Sequence, residues 1–182
     1  MIKRKGRLAL LIVFAIVLLG IVISFTSGVI IRIPSFSEWK IEKFCVYTSD
    51  SNGDRLEEKR CISVEGGKTL EDKIDILVKE LQKQFSGIEL KVIGYNNVLG
   101  KKVLVLDLRD GRVSVDSYLN AGSTGSRINL GILVNSLLQN GRKVSNWIDG
   151  VKILVNGEEG VETSHVSLDE VFFRTRESVD LR

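Results

Sequence analysis

Apolar and polar positions follow three rhythms along this chain. From Leu8 to Ile31 there are 24 residues without a charge, almost all Leu, Ile, Val, Ala and Phe in their central part. From Leu70 to Phe85 the apolar residues Leu70, Ile74, Leu77, Val78, Leu81 and Phe85 recur with the helical period, on one face. Elsewhere the alternation is that of strands: FCVYTSDSNGDRLEEKRCISV, IELKVIGY, KKVLVLDL, RVSVDSYL and VKILVNG.

The helical stretch has a start and a stop. Thr69 is placed to cap it, with Glu71 and Asp72 in the first turn, where carboxylates suit the helix dipole. Ser86-Gly87 closes it. Lys73, Asp75, Lys79, Glu80 and Lys83 fall on the other side, which predicts a solvated face. A second helix is expected in NAGSTGSRINLGILVNSLLQNG, capped by Ser123 or Thr124, with Leu130, Leu133, Val134, Leu137 and Leu138 as its stripe and Asn140-Gly141 as its end. Asn52-Gly53, Asp110-Gly111 and Asn156-Gly157 read as tight turns. Around Asp110-Gly111 the pattern predicts a hairpin, with Val113 and Val115 on one side and Arg112, Ser114 and Asp116 on the other. The resulting order is β-β-α-β-β-β-α-β. That predicts an α+β fold in which two helices cover one face of a mainly antiparallel sheet.

The uncharged stretch is long enough, at ~1.5 Å per residue, to cross roughly 30 Å of hydrocarbon. Lys3, Arg4, Lys5 and Arg7 precede it, and no acidic residue occurs among the first 31 positions. The expectation is a cytoplasmic basic N-terminus at 1–7 and a single-pass transmembrane anchor at 8–31. A juxtamembrane linker at 32–41, an extracytoplasmic domain at 42–173 and a polar tail at 174–182 follow. A cleaved signal peptide is the competing reading; its apolar core is shorter, and no A-x-A-like site follows here. In the linker, Phe36 and Trp39 fit either the membrane–water interface or the domain surface.

Charge then changes meaning. The chain carries 26 basic and 23 acidic residues, but four of the basic ones precede the apolar stretch, which leaves 22 against 23. The basic balance therefore arises from topology, not from a nucleic-acid surface.

Cys45 and Cys61 lie eight residues to either side of Gly53. In a hairpin symmetric about Gly53 they are directly opposed, within disulfide reach. Two free thiols are the alternative, because a one-residue slip sends the side chains to opposite faces. With His165 the only histidine, a zinc site lacks ligands.

Five segments, in order, resemble the GerMN domain family of spore-germination proteins. They are Val46-Tyr47-Thr48 with Asn52-Gly53 and Leu56-Glu57-Glu58-Lys59-Arg60; Asp110-Gly111-Arg112-Val113-Ser114-Val115-Asp116; Gly122-Ser123-Thr124 heading a helix that ends near Leu138; Val151 to Gly157; and Ser164-His165-Val166-Ser167-Leu168. The family's glycine before the histidine is Ser164 here. The resemblance implies a fold similar to ring-building motifs. It also implies a non-enzymatic envelope protein that acts by self-association or by contact with other envelope proteins, in sporulation or germination.

Candidate chemistry is sparse. Ser123, Thr124 and His165 would be the residues of an envelope hydrolase, but no G-x-S-x-G elbow or orienting acid accompanies them. Ser123 reads as a cap and His165 as a structural residue. The helix start at Ser123–Ser126, with Arg127, has the form of an anion site, although self-capping explains it too. A cell-wall glycan-binding module would need an exposed aromatic platform, for which Tyr95, Tyr118 and Trp147 are the candidates. No cofactor, metal, nucleic acid or small-molecule substrate is expected.

Overall fold

A computed structural model describes residues 41–175 apart from 54, 143 and 145, all within one compact unit that spans 38–182. The expected anchor at 8–31, the linker aromatics Phe36 and Trp39, and the tail beyond 175 lie outside the described residues. Among the described residues no helix is long and apolar enough to cross a membrane. The longest has 17 residues, or about 26 Å, which falls short of the hydrocarbon thickness. The single-pass transmembrane reading therefore finds no support in any described helix, and it is not carried further.

The fold is α+β, with mainly antiparallel strands and helices packed on them. Strand β1 (Ile41–Ser49) pairs with β2 (Leu56–Glu65) in a two-stranded sheet, and helix α1 (Leu70–Gln82) follows. Strands β3 (Glu89–Val98) and β4 (Lys101–Arg109) form a long hairpin. Then come the short helix α2 (Val115–Leu119), the long helix α3 (Gly122–Leu138), β5 (Gly150–Val155) and β6 (Phe172–Phe173). The second sheet has the order β3-β4-β5-β6.

Helix α1 forms as its pattern predicts. Thr69 Oγ1 accepts the Asp72 amide at 3.1 Å, and the Asp72 carboxylate accepts the Thr69 amide at 3.3 Å, so two orphan donors are satisfied reciprocally. All six stripe residues from Leu70 to Phe85 are buried. Lys73 departs from the expected solvated face: it is only 4% exposed, and its ammonium meets the Glu42 carboxylate of β1 at 2.7 Å.

Three other details depart from the expected pattern or refine it. The stretch after Asp110-Gly111 is not a strand. Asp110 Oδ1 accepts the Val115 amide at 2.8 Å and Ser114 caps Ser117, which turns the chain into α2. Val113 is exposed and Val115 buried, so they do not share a face. Second, β4 and β5 pair in parallel, Val103 with Gly150 through Leu108 with Val155. A strand flanked on both edges and covered on both faces reads as a continuous apolar run, as Val103 to Leu106 does. Third, there are two sheets, with α3 between them. It packs on β1 and β2 of one sheet, β5 of the other, and both α1 and α2. Its residues Gly131 to Leu138 are consequently buried on every side, not along one stripe.

Candidate functional site

The disulfide expectation can be read directly: Cys45 and Cys61 are bonded and are register partners in the β1–β2 hairpin. The route to that register differs from simple symmetry. The turn spans 50–55, closed by the Asp50 amide on the Arg55 carbonyl at 2.8 Å, and Tyr47 faces Glu58. Carried upward unchanged, this register would set Cys45 against Arg60. A bulge between Val46 and Tyr47 leaves Lys59 without a partner and brings Cys45 to Cys61.

Cys45 is fully buried and Cys61 exposed. The outer edge of β1, which lacks a second strand, is covered by the end of α3. Gln139 accepts the Cys45 amide at 2.8 Å and donates to the Cys45 carbonyl at 2.8 Å, so one side-chain amide stands in for a neighbouring strand. Two residues on, Ser136 Oγ accepts the Tyr47 amide at 3.0 Å. Gln139 does this from a left-handed backbone, φ 51°, at the helix C-cap. Nothing in its sequence surroundings marks it, since a polar residue before Asn140-Gly141 reads as an exposed helix end.

Beside the exposed sulfur, Arg142 pairs with Glu58. Burial works against the charge of Arg142, but its hydrogen bond to Glu58 and the charge of that carboxylate hold its pKa above the ordinary value. Cys45, Glu58 and Cys61 bring potential ligand atoms within 4.8 Å of one another, but both sulfurs are committed to the disulfide.

The candidates for catalysis are held apart in role. Ala121, not Ser123, is the N-cap of α3, and no side chain caps it; Ser123 and Thr124 are exposed. His165 sits at the apex of a turn whose backbone is fixed by Thr163: Oγ1 of Thr163 accepts the amides of His165 at 3.3 Å and Val166 at 3.0 Å. Its imidazole is exposed on the rim of a groove that Ser123 does not line.

That groove is an apolar concavity of about 410 Å³ between α3 and the closing segment of the chain. Leu130, Val134, Leu138, Val171, Phe172 and Phe173 supply its apolar surface, and Arg127 and His165 flank it. A larger polar cavity of about 800 Å³ lies by Lys101, Arg142, Asp149 and Arg174. Its cations are engaged: Arg142 with Glu58, Arg174 with the carbonyls of Gln139 and Arg142, and Lys101 over the Phe173 ring.

The aromatic candidates do not assemble. Trp147 is buried, stacked on Phe44 with centroids 4.7 Å apart, and donates to the Leu137 carbonyl at 2.8 Å. Tyr118 leans on Phe85, with centroids 5.8 Å apart. The Tyr95 phenol is pushed up to about 12, by burial first and then by Glu71 and Asp75.

No family model matches the chain, and no curated protein does. Among solved structures it is similar to one described as "Putative Lipoprotein from Clostridium perfringens", with 16% identity over 73% of this chain and 87% of that chain and a TM-score of 0.35. So distant a likeness bears on neither fold nor function.

Proposed function

We propose that this chain is a non-enzymatic interaction domain of the GerMN type, acting in the envelope of an endospore-forming cell by docking another envelope protein. The observation that carries this reading is the groove between α3 and the closing segment. Leu130, Phe172 and Phe173 are only partly covered there, and an apolar segment of a partner would complete their burial. The disulfide supports an exported location, because such bonds persist in oxidising compartments. The burial of Trp147 removes the strongest member of a glycan-binding platform.

The test is photocrosslinking in intact cells, with benzoylphenylalanine placed in turn at Leu130, Phe172 and the exposed Asp75 of α1. The groove positions should yield one and the same protein adduct, whether a different protein or a second copy of this chain, and Asp75 none. Failure at both groove positions, or an equal yield at Asp75, overturns the reading. Loss of function in His165→Ala with the adduct intact would favour hydrolysis instead.

A further inference from the structure

The tip of the β3–β4 hairpin combines two features that a purely structural turn would avoid. Val98 faces Lys101, so Leu99 and Gly100 form a two-residue turn. Their φ values of 53° and 77° are those of a type I′ turn, in which the first position favours Asn, Asp or Gly. Leucine there bears the cost of a left-handed backbone that it seldom adopts. It is also 92% exposed, more than any other large apolar residue described. Lower on the same hairpin Ile93, the unpaired residue of a bulge between Val92 and Gly94, is 49% exposed.

The surroundings are cationic. From Lys91 to Leu106 there are three lysines and no acidic residue. Lys101 and Lys102 follow the tip directly, both exposed; the Lys101 ammonium lies over the Phe173 ring at 4.4 Å, and among the described residues no carboxylate pairs with either ammonium. Asp149 reaches this end of the hairpin, but its carboxylate accepts the Lys102 backbone amide at 2.9 Å. Glu71 and Asp75 of α1 approach Tyr95, about 14 Å down the strand from the tip at ~3.4 Å per residue.

We propose that this hairpin tip contacts a lipid surface, with Leu99 entering the interface of an anionic bilayer and Lys101 and Lys102 meeting its phosphate headgroups. An apolar tip with two adjacent cations matches a layer of anionic phosphate over an acyl interior. The contact is peripheral and made by a turn.

The test uses the full chain with an environment-sensitive fluorophore on Leu99→Cys, the native cysteines remaining bonded. The chain is mixed with vesicles of phosphatidylcholine alone or with phosphatidylglycerol, each carrying a nitroxide in the upper acyl region. A fluorophore at Asp75→Cys is the control. Quenching at position 99 in the anionic vesicles, weakened by 0.5 M salt and by Lys101→Gln/Lys102→Gln, with none at 75, is the expected result. A fluorophore at 99 that stays in water in both vesicle types overturns the proposal. So does one shielded only when a second protein is added. Independently, Leu99→Asn should raise hairpin stability, because Asn-Gly suits the turn, while lowering lipid affinity about tenfold through the lost leucine. A leucine present for stability alone would move both quantities together.

Discussion

Gln139→Gly sets two rules of protein stability against each other. Gln139 ends α3 with φ 51° and ψ 45°, a conformation in which glycine is the common choice. Judged by backbone alone, glycine relieves roughly 1 kcal/mol of left-handed strain. The side chain argues the other way. It accepts the Cys45 amide and donates to the Cys45 carbonyl, both in a site without water access, since Cys45 and Gln139 are each 0% exposed. Each buried backbone group left without a partner costs about 1–3 kcal/mol, so the pair costs about 2–6. A void the size of the lost side chain adds to this, and glycine also gains freedom in the unfolded chain. The net expectation is a loss of about 2–4 kcal/mol, or a fall near 10 °C in Tm for a unit of this size. Trp147, buried against Phe44, reports unfolding by fluorescence in urea. Hydrogen exchange supplies the local reading: the Cys45 amide should lose protection while the amides of α1 keep theirs. Equal or higher stability in Gln139→Gly would show that the strand edge does not depend on this amide.

Lys73→Met withdraws the ammonium from the buried Glu42 carboxylate and should cost on the order of 3 kcal/mol, most of it recovered in Glu42→Leu/Lys73→Met; additive losses in denaturant titrations would count against a coupled pair. Replacing both cysteines with alanine should lower stability by about 3 kcal/mol, the effect of closing a loop with a separation of 16. In the native protein dithiothreitol should act slowly, because attack on exposed Cys61 expels the Cys45 thiolate into a buried site; a reduction rate well above the unfolding rate contradicts this. The Asp72 carboxyl lies below the ordinary aspartate range, because the Thr69 hydroxyl and amide hydrogen-bond its charged form. Its folded value is depressed, so its contribution is full above the unfolded pKa and fades as the pH falls through the folded one. Thr69→Ala removes the hydroxyl but keeps the amide, so it should move the carboxyl part of the way back toward its ordinary range in an NMR titration and lessen that acid-side slope.

What could be read in advance was local. The stripe and cap of α1, the I′ turn at Asn156-Gly157 and the opposition of the cysteines each depend on residues close in sequence. The misreadings have two causes, local capping that overrode the pattern and packing between distant segments. Val113 and Val115 alternate like a strand, but the Asp110 and Ser114 side chains competed for the backbone and made a helix turn. Lys73 has solvated spacing, yet Glu42, 31 positions earlier, draws it inside. Ser123 has the chemistry of a cap, but Ala121 occupies that position. Gln139 reaches Cys45 across 94 positions, and no local pattern encodes that contact. As for the candidate site, Leu130, Val134 and Leu138 were legible as apolar, but that they would be shared between a core and an open groove depends on where Val171 to Phe173 return.

The unpartnered Lys59 gives the cross-link a second meaning. Two ladders are geometrically open to a reduced hairpin, one with the extra residue looped out and one without interruption, in which β2 from Lys59 onward shows its other side. Only the first brings sulfur to sulfur. The bond is thus compatible with one ladder only, and it fixes which face of β2 meets the core.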